Sequence, residues 1–249
     1  MSMKGKVAIV TGGSRGIGAS IAKELGKRGA MVAITYAVSS SQADTVVETI
    51  KSTSDAIALQ ADCKDPASPE KVISATVQAF GERIDIIVNN AGVGDELYLE
   101  DITLEHFDKV MYTNVRFPIF LLQKALPYLQ RGGRVVNLSS VAARQGFAMQ
   151  SVYGASKACL ESLARTYAVE LGHKYGITIN AVNPGAVATD IATPVESVPG
   201  IEHIINNTPA APRVGETDDI AQVVAFLCEE GSRWITGATV AANGGNCPM

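Results

Sequence analysis

The sequence predicts an α/β fold: a single doubly wound parallel sheet of about seven strands, with helices on both faces. Three observations carry that prediction. Short apolar runs alternate with longer helix-like stretches from one end of the chain to the other, the rhythm of repeated strand–helix–strand units. A glycine-rich turn stands between the first apolar run and the first amphipathic stretch. The 249 residues, 47% hydrophobic and 18% charged, suit one domain spanning 1–249 and exclude a disordered or collagen-like chain.

Lys6 to Val10 reads as the first strand and Gly16 to Arg28 as an amphipathic helix, which Gly29-Ala30 ends. Met31 to Tyr36 is the second strand, Ser41 to Lys51 a helix, and Ala56 to Gln60 the third strand. Ser68 to Phe80 is a helix and Ile84 to Val88 the fourth strand. Two helical stretches follow, Thr103 to Val115 and Pro118 to Leu129, before Gly132-Gly133 turns the chain into a buried strand from Arg134 to Ser139. Ser151 to Lys174 predicts a long helix and Ile177 to Val182 the sixth strand. Asp218 to Cys228 predicts a further helix, and Ala238 to Ala241 a short seventh strand. Residues 190–214 carry Pro194, Pro199, Pro209 and Pro212 without a clean period, and read as a mobile substrate lid rather than sheet.

Lys and Arg number 21 against 25 Asp and Glu, a net charge of −4 spread evenly along the chain. Such a surface does not neutralise a phosphate backbone, so nucleic acid is excluded as the expected partner. No run of about 18 apolar residues offers a membrane span, and the N-terminus enters an apolar run too soon for a signal peptide. A cytoplasmic protein is expected. Cys63, Cys159, Cys228 and Cys247 lie far apart with no C-x-x-C pair and no histidine at ligand spacing, so reduced thiols and no metal site are expected.

Thr11-Gly-Gly-Ser-Arg-Gly-Ile-Gly18 follows the first strand and opens the first helix. Backbone N–H groups of Ser14, Arg15, Gly16, Ile17 and Gly18, together with the helix dipole, can hold a pyrophosphate there, with Gly12, Gly16 and Gly18 giving the turn its room. A tight turn alone is the plainer reading of the same glycines. On a Rossmann-like sheet the end of the second strand often carries an acid that binds both ribose hydroxyls of NAD and repels a 2′-phosphate. Thr35-Tyr36-Ala-Val-Ser39-Ser40 has none. Ser39, Ser40 and the cation Arg15 can instead take up the extra phosphate of NADPH, although the serines also suit a helix N-cap. Asp62 and Asn89-Asn-Ala91-Gly92 stand at carboxyl ends of strands, where ligands sit in open α/β sheets; local turn capping is the alternative.

Tyr153 and Lys157 are four residues apart near the start of the long helix, so both face one side about one turn apart. An ammonium in that place is expected to lower the phenol's pKa and make it a usable general acid. Ser140 ends the preceding strand, where its hydroxyl can return to the same spot and meet a carbonyl oxygen.

Taken together, T-G-x-x-x-G-x-G at 11–18, N-N-A-G at 89–92, Asn114, Ser140, Y-x-x-x-K at 153–157 and Asn183-Pro-Gly185 resemble the short-chain dehydrogenase/reductase family, from about Lys6 to Gly245. The resemblance implies that Tyr153 donates a proton to a substrate carbonyl, that Lys157 tunes it and binds the nicotinamide ribose, and that Ser140 polarises the carbonyl. Asn114 would hold a water that links Lys157 to solvent, while Pro184, Gly185, Val187 and Thr189 would contact the nicotinamide amide. Within the family, the segment after the second strand and the ending Gly244–Met249 look most like NADPH-dependent ketoreductases of fungal polyketide pathways, which act on hydroxynaphthalenone-type ketones. A 3-oxoacyl-carrier-protein reductase is the alternative, disfavoured because Arg116 and Arg144 are isolated where an acidic carrier wants a basic patch; a non-catalytic cofactor-binding protein is another. The substrate is expected between the loop Val141 to Val152, the turn Gly94 to Tyr98 and the lid, with Phe147, Met149, Tyr98 and Met249 as walls and Arg144 and Gln150 as polar handles. Gly94 is expected to loosen the pocket floor. The family also implies a homotetramer or homodimer built through helices Thr103 to Leu129 and Ser151 to Lys174.

Overall fold

The computed structural model describes residues 2–189 and 200–247. Strands β1 (Val7–Val10), β2 (Met31–Tyr36), β3 (Ala56–Gln60), β4 (Ile84–Asn89), β5 (Leu129–Leu138), β6 (Thr178–Pro184) and β9 (Thr239–Ala242) form one sheet in the order β3-β2-β1-β4-β5-β6-β9, every neighbouring pair parallel. The chain builds outward from β1 to β3, then returns to lay β4 beside β1. That reversal opens a crevice at the carboxyl ends of β1 and β4, the place where open α/β sheets bind ligands.

Alternation along each strand divides the core between two faces. Ala8 and Val10 of β1 join the cluster under α1 (Gly16–Lys27), α2 (Ser40–Lys51) and α8 (Thr217–Leu227), through Ile21, Leu25, Ile50 and Val224. Ile9 joins the opposite cluster under α3 (Ser68–Phe80), α5 (Phe117–Ala125) and α6 (Ser151–Leu171), with Ile73, Phe117, Leu121 and Ala164. Strands buried on both faces read as unbroken apolar runs, which is why they were legible in the sequence.

Beyond shifts of a residue or two at element ends, the structure departs from the sequence expectation in several places. The two helices expected over 103–129 form one helical run, α4 (Leu104–Met111) passing through a π-turn at Tyr112–Arg116 into α5. Pro118 lies in the first turn of α5, where a missing N–H is tolerated. Residues from Leu129 onward belong to β5, not to a helix. The long helix α6 stops at Leu171 and gives way to a second π-turn, Gly172–Gly176. Within the expected lid, 190–199 lie outside the described residues, but 201–207 form α7 (Ile201–Asn207), a helix too short for its period to show. A small parallel ladder between β7 (Val187–Ala188) and β8 (Gly215–Glu216), also unforeseen, fastens the chain on either side of that segment.

Candidate active site

The glycine turn is held open by its neighbours. Gly12 N–H donates to Thr35 Oγ1 (3.1 Å), and Gly13 N–H to Thr35 O (2.9 Å). Thr11 Oγ1 accepts from the N–H groups of Asn90 and Ala91, both at 3.0 Å, while Asn90 Nδ2 donates to the carbonyls of Thr11 (2.9 Å) and Gly12 (3.1 Å). The start of the turn is thereby satisfied internally. The end is not: α1 begins after Arg15 with no side-chain cap, so its first N–H groups face the crevice. A Cβ on Gly18 would stand 2.3 Å from Gly12 O and one on Gly12 2.9 Å from Ala91 Cα, so side chains there would fill the cradle. Uncapped N–H groups, a helix dipole and a floor without side chains suit a diphosphate, so these residues fit a dinucleotide. Thr189 closes the far side, its Cβ 3.6 Å from where a Gly16 Cβ would lie.

Around this cradle the expected ligands divide. Arg15 is exposed and has neither ion-pair nor hydrogen-bond partner among the described residues. Ser39 occupies the N-cap position of α2 yet makes no capping bond, and Ser40 beside it is exposed. Tyr36 is half-buried at the end of β2. Asp62 is exposed at the rim, with Oδ1 accepting from Lys64 N–H (2.8 Å), so one of its oxygens serves its own turn. The Asn89 side chain lies in the sheet interior, donating to Asn137 Oδ1 at 2.8 Å, and it is Asn90 that reaches the glycine turn. Sequence reasoning placed both asparagines at the strand end; the alternation of side chains along β4 separates them. Pro184 is buried at the end of β6, while Gly185, Val187 in β7 and Thr189 after it are half-buried.

Tyr153, Lys157 and Ser140 come together as expected. Lys157 is buried, its Nζ donating to Leu138 O at 2.7 Å and lying 5.6 Å from the centroid of the Tyr153 ring. Burial pulls the ammonium down from 10.5 to about 8. The phenol behaves opposite to the sequence expectation. Burial raises the Tyr153 pKa above 10.0, and the hydrogen bond with Ser140 offsets that only in part. A phenol held up in this way stays protonated at neutral pH, the form a proton donor requires.

Ser140 is locked by accepting from Ala142 N–H at 3.2 Å. Asn114 sits in the π-turn, with its side chain fully engaged: Oδ1 accepts from Val93 N–H (2.9 Å), and Nδ2 donates to Val93 O (2.8 Å) and Ser156 Oγ (3.0 Å). Gly94 tightens the site rather than loosening it. A Cβ there would lie 2.7 Å from Tyr153 Cδ2, so the ring packs directly on the backbone of that glycine.

The loops expected around the substrate are tied to each other. Leu97 N–H donates to Met149 O (3.0 Å), and Gln150 Nε2 to Glu96 Oε1 (3.1 Å). Met149 alone among the described non-glycine residues has positive φ, at 66°. Phe147 and Tyr98 are exposed; Met249 lies outside the described residues. Arg144 is no free handle, since its Nε reaches Glu161 Oε2 at 2.5 Å. A cavity of about 180 Å³ is lined on one side by the expected lid, through Ile204, Thr208 and Val214, and on the other by Val223 and Asn243, but by no residue of the loop 141–152 or the turn 94–98. Missed in the sequence were the roles of Thr35 and Glu161, and that Asn90 rather than Asn89 reaches the glycine turn. Glu161 left a signal as an acid in line with Tyr153 and Lys157 at successive fourth positions of α6, and Asn90 as part of N-N-A-G.

A family model described as enoyl-(acyl carrier protein) reductase matches residues 12–246. Among curated relatives, the short-chain dehydrogenase/reductase FrzI of Cladobotryum sp is 53% identical, over 98% of this chain and 96% of that protein. Versicolorin reductase 1 of Aspergillus parasiticus is 40% identical over 98% and 97%. Among solved structures, a short-chain dehydrogenase from Burkholderia cenocepacia in complex with NADP superposes with a TM-score of 0.93 at 40% identity, covering 99% of each chain. The angucycline C-6 ketoreductase LanV with bound NADP gives 0.91 at 36% identity, over 99% and 97%. The chain belongs to the short-chain dehydrogenase/reductase family and is an oxidoreductase.

Proposed function

We propose that this protein is an NADPH-dependent ketoreductase that converts a cyclic or aromatic, polyketide-like ketone to a secondary alcohol, with Tyr153 as proton donor. The observation that carries the reading is the convergence of the buried Tyr153 phenol, the Ser140 hydroxyl and a buried Lys157 beside a glycine cradle that fits a dinucleotide. NADPH, held by the N–H groups of residues 14–18, would supply a hydride to the carbonyl carbon. Ser140 hydrogen-bonds the carbonyl oxygen and orients it, and Tyr153 Oη delivers the proton that completes the alcohol. Lys157 would place a positive charge beside the phenol and bind the ribose. With its side chain committed to Val93 and Ser156, Asn114 would hold the proton-supplying water through its main chain.

Unpaired Arg15, the uncapped Ser39 and the absence of an acid from Tyr36 to Ser40 support NADPH over NADH. The kinship with versicolorin reductase 1, with the hydroxynaphthalene reductase arp2 of Aspergillus fumigatus and with LanV supports a ring ketone. The experiment is to follow nicotinamide absorbance with NADPH against bicyclic aromatic ketones, quinones, 3-oxoacyl thioesters and enoyl thioesters. Turnover confined to ring ketones is expected; preference for either thioester moves the assignment to fatty-acid chemistry. We also propose a homotetramer or homodimer: Leu104, Phe107 and Phe120 on α4 and α5, and Val169 on α6, expose apolar surface on the helices expected to associate.

A further inference from the structure

Glu161 is only 2% exposed, and its carboxylate accepts from three different segments. Oε1 takes hydrogen bonds from Ser139 Oγ (2.9 Å) and Asn183 Nδ2 (3.0 Å), and Oε2 takes one from Arg144 Nε (2.5 Å). These partners surround Ser140. Ser139 precedes it; Arg144 follows the short turn Val141–Ala143 that Ser140 caps; and Asn183 Nδ2 also donates to Ser140 O at 2.6 Å. Ala143 N–H closes the turn on the same carbonyl at 2.9 Å. One carboxylate on α6, a turn beyond Lys157, thus grips both ends of the turn that presents the Ser140 hydroxyl to Tyr153.

Buried carboxylates are costly unless several charge-assisted bonds satisfy them, and a partly broken set is worse than none. Here the set is complete. Its geometry also accounts for Arg144, whose side chain is 38% exposed yet turned inward onto Glu161 instead of into the space where substrate is expected. Asn183 adds a second consequence. It stands immediately before the Pro184-Gly185 turn, so the same carboxylate couples the end of β5 to the end of β6.

We infer that Glu161 is a positioning residue for catalysis, acting with Arg144 as a clamp that fixes Ser140 in register with Tyr153. The inference rests on the proposed ketoreductase reading, in which Ser140 touches the substrate carbonyl. Glu161→Gln keeps the shape and the two bonds at Oε1, but turns an amide donor toward the Arg144 donor. Arg144→Met opens the clamp from the half-exposed side and leaves the buried carboxylate bonded to Ser139 and Asn183.

The experiment compares wild type, Ser140→Ala, Glu161→Gln, Arg144→Met and each clamp change combined with Ser140→Ala, by kcat on an active ketone and by NADPH affinity from fluorescence. Misplacing a reacting group by a fraction of an ångström is expected to lower kcat roughly tenfold in each single clamp variant, with NADPH affinity within about twofold of wild type. Arg144→Lys restores part of that loss. In the Ser140→Ala background the clamp changes have no further effect, because what they position is gone. Clamp losses that multiply with the Ser140→Ala loss, or wild-type kcat in Arg144→Met, overturn the inference. If Ser140→Ala itself retains full activity, the ketoreductase reading of the site fails instead. Should Glu161→Gln not fold, Arg144→Met and its double variant decide the matter alone.

Discussion

Burying Lys157 sets catalysis against stability, and the conflict can be read by titration. The ammonium drops from 10.5 to about 8 because burial removes its hydration, a difference of about 3 kcal/mol between its charged and neutral forms. Below pH 8 both the folded and unfolded states hold the proton, and the fold bears the whole cost. Between pH 8 and 10.5 the folded state gives up its proton while the unfolded chain keeps it, so stability rises with pH across that window. Lys157→Met removes the buried charge and loses one hydrogen bond to Leu138 O, worth about 1 kcal/mol. The variant without cofactor is therefore expected to be about 2 kcal/mol more stable than wild type at pH 7, with the gain falling to about zero by pH 10. Urea unfolding of both proteins at several pH values measures this. A variant less stable than wild type at pH 7, or a difference that does not change with pH, refutes the reasoning.

The other predictions concern the cofactor and the phenol. Arg15→Ala should weaken NADPH about tenfold through loss of one exposed charge-assisted contact while leaving NADH within about twofold, as judged by KM for each nucleotide; equal losses contradict a 2′-phosphate role. Gly94→Ala should push the Tyr153 ring aside and cost roughly tenfold in kcat and about 1–3 kcal/mol in stability, measured by turnover and urea midpoint. An unchanged kcat would show that the ring has room to spare. In Lys157→Met, whose fold is expected to survive, turnover should vanish into the background of the absorbance assay.

The central strands were legible because they are buried on both faces and turn residues precede them, as Gly29 precedes β2 and Gly81 precedes β4, both with positive φ. What the sequence hid were features decided by tertiary contact. A π-turn at Tyr112–Arg116 has no period of its own, and Pro118 made the run look like two helices. Helix α7 is too short to declare itself among prolines and glycines. In the site, the meeting of Tyr153, Lys157 and Ser140 followed from spacing and the family resemblance, yet the direction of the Tyr153 pKa did not, because it depends on burial that the sequence does not state. Likewise Arg144 looked like a handle until Glu161 was found one hydrogen bond away, across seventeen positions of chain. Neighbouring asparagines 89 and 90 differ by the one-residue alternation that sends one into the sheet and the other to the glycine turn.

The most direct test of Tyr153 as the proton donor is a comparison of wild type and Tyr153→Phe on a ring ketone that the wild type reduces, with NADPH binding measured separately. Removing a general acid while keeping the ring against Gly94 should lower kcat by about 10²–10⁴ with NADPH affinity unchanged. A Tyr153→Phe protein that reduces the ketone as fast as wild type would contradict the account.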